Sequence, residues 1–276
     1  MVKSNLMMVV LQHLRVRPTT VRGAVHLYSA YVKGAWIYLF HREDFLTIGK
    51  YLRSDVNVII DGLNVHVRRE CEDLGYYLCS TKPWTTKWFK PKPGETVIDC
   101  GSSVGAFTLR AAQRGCTVYA FEPHPETVTV LARNVNANFL DKVSIFNLAL
   151  GSREGVTFLY SAPSSRGTSS LNPNWLEGRA VQEKQAFRVR VVPLDLALKD
   201  INLKMVDWLL IDVESLELEL LEGATDVLRR SKRIIIEAAD GNREKVLGLL
   251  QKRGFREIDH GSKWDVIQYY FFERAS

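Results

Sequence analysis

The sequence predicts an α/β fold that begins near residue 93 and in which parallel strands alternate with helices. Two observations predict it. Beyond this point, short apolar runs alternate with segments of helical periodicity, which is the pattern of a parallel sheet. A glycine-containing turn follows the first apolar run, as expected where a buried strand leads into a helix. With 46% hydrophobic residues in a chain of 276, the composition excludes a disordered protein.

Residues 1–92 are predicted to form an accessory region, followed by a ligand-binding domain of residues 93–276. The boundary rests on residues 82–92, which are rich in proline, lysine and aromatic side chains. Such a composition is typical of a linker or of a substrate-facing loop. We therefore place the domain boundary near residue 92.

Within the accessory region, the sequence predicts helices and then a hairpin. Residues 1–53 are predicted to be mostly helical. Residues 56–60 and 63–68 alternate in polarity around the turn dipeptide Asp61-Gly62, which predicts a β-hairpin.

Positive charge is concentrated at the N-terminus. Six basic side chains precede Glu43, the first acidic residue, and the net charge of the chain is +6. We interpret this run as a solvated helical face. Attraction to phosphates, anionic lipid or an acidic substrate is the alternative.

A stripe of large apolar side chains follows the N-terminal segment at helical spacing. Its members are Val25, Tyr28, Val32, Trp36 and Leu39. It predicts an amphipathic helix that packs on its own protein, with docking on a lipid surface as the minority alternative. The apolar stretch of residues 24–40 is shorter than the roughly 20 residues that a membrane-spanning helix needs.

The four cysteines indicate reduced thiols. Cys71, Cys79, Cys100 and Cys116 form no C-x-x-C pair, and no histidine–cysteine cluster has zinc spacing. We therefore assign no metal ligands from the sequence and expect a cytoplasmic protein.

The predicted domain opens with strand, helix, strand, helix and strand. These are residues 96–100, 104–114, 117–122, 125–139 and 143–150. Alternating segments at residues 156–160 and 187–192 follow. The polar loop of residues 161–185 lies between them, and its length favours a substrate lid.

The sheet then resumes with strand, helix, strand and helix and ends with two strands. These are residues 208–213, 216–230, 234–238, 242–253, 255–258 and 266–272. The late strand pair predicts an antiparallel edge on a Rossmann-like, seven-stranded sheet with helices on both faces.

The turn after the first strand has the features of a nucleoside-type ligand site. Gly101 and Gly105 let the backbone approach a ligand closely, and the following helix start offers free N–H groups. A dinucleotide fingerprint, G-x-G-x-x-G, would require glycine where Ser103 stands. Asp99, before the first glycine, suits a cationic ammonium group better than a pyrophosphate.

Glu122 ends the next predicted strand, 21 residues after Gly101, where a carboxylate that accepts both ribose hydroxyls is expected. Together, the Glu122 carboxylate and the glycine turn favour S-adenosylmethionine as the cofactor. The residues predicted to bind it are Asp99, Gly101, Ser102, Ser103, Gly105 and Glu122. A nicotinamide-dependent oxidoreductase or a non-catalytic nucleotide-binding module remains the alternative.

Three acidic residues end later strands. Asp212 and Glu214 follow the strand at 208–213, and Glu237 ends an apolar run. Because strand carboxyl ends line the ligand crevice, these acids could orient a substrate, receive its proton or hold a divalent ion. Acids that complement a helix start are the alternative for the first two. We predict catalytic roles for all three and prefer Asp212 as the base.

These motifs resemble those of the FkbM-like family of S-adenosylmethionine-dependent methyltransferases. Residues 99–108 are similar to its D-V-G-A-N-x-G-x-x-T loop, and residues 120–123 match its A-F-E-P. Further matches are Asn134, Asn138 and residues 149–151, 193–195, 211–214, 221–224 and 236–237. Two departures are Ser102-Ser103 in place of Ala-Asn, and Ser215 in place of the glycine that follows Glu214.

The resemblance implies a class-I methyltransferase fold and transfer of a methyl group to a hydroxyl oxygen of a small molecule or sugar-type acceptor. It also implies cofactor contacts at Phe107, Thr108, Phe121, Pro123, Ala149 and Asp212. An RNA methyltransferase is the closest alternative, because the lysines and aromatic residues of 82–90 could bind phosphates and stack on bases.

Overall fold

The structure is a computed structural model that describes residues 15–41, 49, 51–79, 87–162, 165–172, 185–238, 241–260 and 269–275. Several predictions lie outside the described residues. They concern residues 1–14, 42–48, 82–86, 173–184 and 266–268 and the side chains of Trp36, Leu39 and Cys79.

The N-terminal region begins with a short strand, β1 (Val16–Pro18), and a long helix, α1 (Val21–His41). The prediction of a mostly helical segment is wrong for β1, which pairs antiparallel with residues 56–60 and so extends their sheet. Pro18 ends this edge strand, where its missing N–H group removes no ladder hydrogen bond from the sheet interior. The Thr20 hydroxyl accepts a backbone hydrogen bond in the first turn of α1.

The predicted hairpin is confirmed. Strands β2 (Val56–Ile60) and β3 (Leu63–Val67) pair antiparallel around Asp61 and Gly62. Both turn residues have positive φ angles, 53° and 80°, which a two-residue hairpin turn of this kind requires. Helix α2 (Asp73–Cys79) follows the hairpin.

The first half of the central sheet follows the predicted alternation. Its elements are β4 (Thr96–Cys100), α3 (Ala106–Gln113), β5 (Thr117–Phe121), α4 (Pro125–Ala137) and β6 (Val143–Phe146). β4, β5 and β6 are parallel neighbours. His124 precedes α4 as its N-cap, because its side chain accepts two backbone N–H groups of the first turn.

The chain then forms a second sheet of four strands, in the order β7-β10-β8-β9. These are β7 (Ala149–Leu150), β8 (Gly155–Ala162), β9 (Ser165–Ser170) and β10 (Gln185–Val192). The predicted strand 143–150 divides between the two sheets, since the Asn147 amide donates to the Glu122 carbonyl at 2.8 Å and holds the chain at the break. The predicted loop of residues 161–185 contains β9, which pairs with β8.

The remaining elements complete the central sheet. They are α5 (Leu194–Ala197), β11 (Val206–Ile211), α6 (Glu217–Glu222), α7 (Thr225–Arg230), β12 (Ser231–Glu237), α8 (Arg243–Lys252), β13 (Phe255–His260) and β14 (Tyr269–Arg274). The strand order is β13-β14-β12-β11-β4-β5-β6, with β14 antiparallel to both neighbours. The predicted α/β class and its late antiparallel pair are confirmed.

The predicted helix of residues 216–230 is two helices, because the chain breaks at Gly223. A Cβ at this position would lie 2.2 Å from the Gly151 carbonyl oxygen, so the contact between the two backbone segments requires glycine. The break creates a new helix start. There the Asp195 carboxylate accepts two backbone N–H hydrogen bonds from the first turn of α7.

The hairpin and the central sheet share one hydrophobic core. Val58, Val65 and Val67 of the hairpin lie in the same buried cluster as Leu109 of α3 and Leu131 of α4. Whether residues 1–92 form a separate domain stays a prediction. Burial in a common core means that each part supplies apolar surface that the other covers.

A buried ion pair of the N-terminal region is hydrogen-bonded to α4 of the second part. The guanidinium of Arg68 and the carboxylate of Asp73 lie 2.8 Å apart, and their side chains are 7% and 1% exposed. Arg68 also donates to the Thr127 hydroxyl on α4 at 3.2 Å. Removing one partner would leave a buried charge uncompensated, so this pair fixes how the hairpin lies on α4.

The described part of the predicted linker packs on the central sheet. Trp88 lies beside Phe271 with ring centroids 5.8 Å apart, and its indole N–H donates to Asp259 at 2.7 Å. Phe89 is buried against Trp208. These aromatic side chains cover the sheet, and the substrate-facing alternative stays a prediction.

Helix α1 exposes the apolar stripe that the sequence predicts to be packed. Of its predicted members, Val25, Tyr28 and Val32 are 63%, 55% and 72% exposed. The prediction is wrong for these residues because α1 packs on β1 and β2 through its opposite face, where Leu27 is fully buried. Within the described residues, no helix has the length and apolar character needed to cross a membrane.

Candidate active site

The candidate site lies at the carboxyl ends of the adjacent parallel strands β5, β4, β11 and β12. In an open sheet of this kind, ligands bind in the crevice at this edge. The loop after β11 is held against the turn after β4, because the Asp212 N–H donates to the Cys100 carbonyl at 2.9 Å. A Cβ at Gly101 would lie 1.8 Å from the Asp212 carbonyl oxygen, so only glycine allows this approach.

The turn after β4 is a strained backbone segment fixed to β5. Gly101, Ser103 and Gly105 have positive φ angles of 83°, 48° and 101°. The N–H groups of Gly101 and Ser102 both donate to the Phe121 carbonyl at 2.9 Å. The predicted glycine turn is therefore present, and its shape is set by the neighbouring strand.

Asp99 lies behind this turn. It is 3% exposed and accepts a hydrogen bond of 2.5 Å from the Thr108 hydroxyl. Burial raises the pKa of Asp99 to about 6. Above this pH its negative charge favours a cationic group at the turn, whereas its direct contact with a cofactor stays a prediction.

Glu122 reaches from the end of β5 to the turn after β4. Its two carboxylate oxygens accept the backbone N–H groups of His124 at 2.8 Å and of Ser103 at 2.9 Å. Burial raises the pKa of Glu122 to about 7, against the two N–H groups, which favour the ionised form. The predicted ribose carboxylate thus stands beside the glycine turn.

The turn also carries a polar atom that needs a partner. Among the described residues, the Ser103 hydroxyl oxygen is buried and has no hydrogen-bond partner. Leaving a buried polar group unsatisfied costs about 1–3 kcal/mol, so a ligand with polar groups at this place would be stabilised. The residues present therefore fit the predicted cofactor, which has polar groups at both its amino-acid and its ribose end.

Three carboxylates meet next to this turn. Oxygen atoms of Asp212, Glu214 and Glu237 all lie within 4.8 Å of one another, as the strand-end argument predicts. Such a set can share a proton, or it can hold a divalent cation through its oxygens. Both capacities are among those that the sequence left open for these acids.

Burial and mutual repulsion keep protons on part of this acidic cluster. Burial, followed by the charge and hydrogen bonding of Asp212, raises the pKa of Glu237 well above its ordinary value. Burial likewise raises the pKa of Glu217, at the start of α6, to about 7. A raised pKa favours the protonated form of Glu237, in which it can donate a hydrogen bond within the cluster.

Two residues of the site were missed from the sequence. The Tyr269 hydroxyl donates to Asp212 at 2.6 Å, and Tyr269 stands opposite Glu237 in the ladder of β12 and β14. The Ser170 hydroxyl donates to the Glu214 carbonyl at 2.8 Å. Both come from segments whose register depends on long-range pairing, so no local signal identified them.

The backbone after β11 has two left-handed residues. Glu214 and Ser215 have φ angles of 53° and 78°. Such angles favour glycine, so the structure explains why the family that this chain resembles carries glycine where Ser215 stands. Glu214 and Ser215 thus turn the chain between the end of β11 and the start of α6, beside the acidic cluster.

Other predicted cofactor residues lie around this crevice with varied contacts. The ring of Phe107 packs against Phe89 at 5.4 Å, which does not support its predicted cofactor contact. Phe121 is buried and contributes its carbonyl to the turn. Pro123 contributes a carbonyl that accepts the Asn147 amide, and Ala149 is buried in β7. For these positions contact with a cofactor stays a prediction.

Comparison with known proteins agrees with this geometry. Residues 99–257, more than half of the chain, match the family described as the methyltransferase FkbM domain. Methyltransferase 1 of Beauveria bassiana is 27% identical over 193 residues, which cover 63% of this chain and 78% of that protein.

Two further relatives differ in how much they share. The 31-O-demethyl-FK506 methyltransferase FkbM of Streptomyces tacrolimicus is 26% identical over 196 residues, which cover 60% of this chain and 75% of that protein. The tRNA (guanine(37)-N(1))-methyltransferase of Homo sapiens is 40% identical over 58 residues, which cover 21% of this chain and 11% of that protein.

Proposed function

Because this chain belongs to the FkbM methyltransferase family and is an S-adenosylmethionine-dependent methyltransferase, we propose that it methylates a hydroxyl group of a small-molecule or sugar-type acceptor. The observation that carries the proposal is the convergence of Asp212, Glu214 and Glu237 beside the glycine turn. A relative whose name describes methylation at an oxygen supports it. Family membership also decides against the nicotinamide-dependent alternative.

In this proposal the turn after β4 and the end of β5 hold the cofactor, which supplies a methyl group on a positively charged sulfur. The carboxylate of Glu122 accepts hydrogen bonds from the ribose hydroxyls. The Ser103 hydroxyl, which is buried without a partner among the described residues, gains one from the ligand. Asp99 adds negative charge behind the turn, which favours the cationic amino-acid end.

The acceptor hydroxyl must lose its proton as it is methylated, and we assign its removal to Asp212. This side chain is partly exposed, and the Tyr269 hydroxyl holds one of its oxygens in place. Burial and the neighbouring Asp212 raise the pKa of Glu237 well above its ordinary value, so we assign Glu237 to donate a hydrogen bond within the cluster and not to serve as the base. Glu214 is left to orient the acceptor.

An RNA acceptor is less consistent with the packing. In the part of the Lys-Trp segment that the structure describes, residues 87–90, Lys87 pairs with Asp259 at 2.8 Å and Trp88 packs beside Phe271. The match to a tRNA methyltransferase covers 21% of this chain. We therefore propose no second function.

The test begins with a screen of hydroxyl-bearing small molecules and sugars, using S-adenosylmethionine labelled in its methyl group. With an acceptor in hand, turnover and cofactor affinity are compared for the wild type and Asp212→Asn. We expect turnover to fall by about 100-fold or more, the usual effect of losing a general base, with the cofactor dissociation constant changed by less than about twofold. Glu219→Gln, an exposed carboxylate on α6, is the matched control.

Three results would change the proposal. Undiminished turnover of Asp212→Asn would remove this residue from the reaction. Methylation of RNA in a salt-sensitive manner, with no small-molecule acceptor found, would transfer the proposal to RNA. Loss of activity with EDTA that Mg²⁺ restores would mean that the three carboxylates hold a cation.

A further inference from the structure

Helix α1 presents a continuous apolar stripe to solvent. Val21, Val25, Tyr28 and Val32 follow one another at spacings of four, three and four residues. At 100° per residue, their side chains project within about 60° of one another around the helix axis. All four are more than half exposed. The stripe is therefore one narrow surface along the helix.

The exposure of this stripe does not arise because α1 is apolar on all sides and has no buried face. The opposite face of α1 contains Leu27 and Ala30, which are 0% and 1% exposed and belong to the core shared with β2 and β3. The helix thus already has a buried face of its own. Contiguous exposed apolar surface on a folded protein commonly marks an interaction site.

The charged side chains within the described residues 15–34 are all basic. Arg22 and Lys33 lie on α1 and Arg17 on β1, and all three side chains are exposed. From residue 1 to residue 42 the sequence contains no acidic side chain. An apolar stripe with a basic border is complementary to a surface that is apolar within and anionic at its edge.

We propose that α1 docks this methyltransferase on the surface of an anionic lipid bilayer. Val21, Val25 and Val32 lie among the upper acyl chains, and Tyr28 lies at headgroup level, where an aromatic ring with a hydroxyl is favoured. The basic border contacts lipid phosphates. Docking places the helix in the plane of the bilayer surface and is independent of the acceptor proposed above.

A lipid surface fits these residues better than other occupants do. A second copy of the chain would bring two positively charged borders together, which is unfavourable. Single-stranded RNA is bound through aromatic side chains on which bases stack, and three of the four stripe residues are valines. The combination of aliphatic side chains and positive charge therefore points to anionic lipid.

The test is co-sedimentation of the full chain with vesicles. Vesicles of phosphatidylcholine with about 30% phosphatidylserine are compared with vesicles of phosphatidylcholine alone, at low and at high salt. We expect binding to the anionic vesicles, weakened by salt, and an affinity lowered by about tenfold or more in Val25→Asp/Val32→Asp. Phe139→Asp is the matched control, because Phe139 is 91% exposed but lies outside the stripe.

The substituted positions are exposed, so the variants are expected to fold. Circular dichroism and S-adenosylmethionine binding verify this. The proposal is overturned if the wild type shows no preference for anionic vesicles, or if Val25→Asp/Val32→Asp binds them as the wild type does. It is also overturned if sedimentation velocity shows a dimer that the same double substitution dissociates, since the stripe would then be a contact between copies.

Discussion

Ser215 shows how one residue can be at odds with the backbone that it occupies. Its φ angle of 78° is disfavoured for a residue with a Cβ, and its hydroxyl is buried without a partner among the described residues. We predict that Ser215→Gly raises the free energy of unfolding by about 1 kcal/mol, because glycine adopts this angle without strain. Urea denaturation measures the change.

Ser144→Gly is the control for this prediction. Ser144 lies in β6 and is exposed, so glycine there only adds flexibility to the unfolded chain and lowers stability by about 0.5–1 kcal/mol. If Ser215→Gly destabilised the protein to the same extent, strain at Ser215 would not be the explanation.

At the residue scale, the acidic cluster was predictable and its hydroxyl partner was not. Asp212, Glu214 and Glu237 end parallel strands, and parallel strands end at the same edge of a sheet, so their meeting follows from topology. Tyr269 reaches the cluster from an antiparallel strand. Its position depends on the register of that strand, and alternation of polarity alone does not set which residue faces Glu237.

Two asparagines, Asn134 on α4 and Asn138 directly after its last residue, form hydrogen bonds with the hairpin. Asn134 accepts the His66 N–H at 2.7 Å and donates to the Val104 carbonyl at 3.0 Å. One turn later, Asn138 exchanges two hydrogen bonds of 2.7 Å with the backbone of Asn64. These two side-chain amides thus form hydrogen bonds with backbone groups at the edge of β3, where a neighbouring strand would otherwise form them.

We predict that Asn134→Ala lowers the free energy of unfolding by about 2 kcal/mol, because it leaves the His66 N–H unsatisfied at a fully buried position, whereas the Val104 carbonyl keeps its hydrogen bond from the Tyr77 hydroxyl. Asn138→Ala should cost about 1 kcal/mol, since water can replace its bonds at a partly exposed position. Urea denaturation of both variants provides the comparison. An equal or reversed ranking would show that the hairpin is held mainly by its apolar contacts.

At the element scale, periodicity located the strands and helices but not the breaks between them. The division of residues 143–150 depends on the bond from Asn147 to the Glu122 carbonyl, and that of residues 216–230 on the approach of Gly223 to Gly151. Both contacts join segments far apart in the chain. A local pattern of apolar residues carries no information about them.

The whole molecule should lose stability as the pH rises through neutrality. Burial raises the pKa of Asp99 to about 6 and of Glu122 and Glu217 to about 7, and it raises the pKa of Glu237 well above its ordinary value. A raised pKa means that the folded state binds the proton more tightly than the unfolded state. The stabilisation is therefore complete below the unfolded value and is lost as the pH passes the folded one.

We predict that, without cofactor, the free energy of unfolding falls between about pH 5 and pH 8. Burial lowers the pKa of His66, which has the opposite effect near its ordinary value, but it is one group against four. Urea denaturation at several pH values measures the trend. In Glu122→Gln the fall should be smaller, and a free energy that rises across this range would contradict the assignment.

At the scale of the whole molecule, the α/β class and the late antiparallel strand pair were foreseeable, and the packing of the N-terminal region was not. Composition and a lysine-rich segment predicted a domain boundary near residue 92. They gave no sign that hairpin valines lie in the same core as Leu109 and Leu131. Which apolar surfaces pack together depends on their shapes. In α1, the buried face contains Leu27, whereas the apolar stripe of Val25, Tyr28 and Val32 is exposed.

The carbonyl of Val104, within the turn after β4, receives hydrogen bonds of 3.0 Å from both the Tyr77 hydroxyl and the Asn134 amide. Tyr77 belongs to the accessory region, and Asn134 of α4 also accepts the His66 N–H, so the accessory region contacts the loop that the cofactor is expected to touch both directly and through α4. Coupling of this kind is reciprocal. If cofactor binding at this loop stabilises the hairpin, then any contact that stabilises the hairpin raises the affinity for the cofactor by the same factor. The accessory region, to which we assign no catalytic side chain, can in this way change the affinity of the enzyme for S-adenosylmethionine.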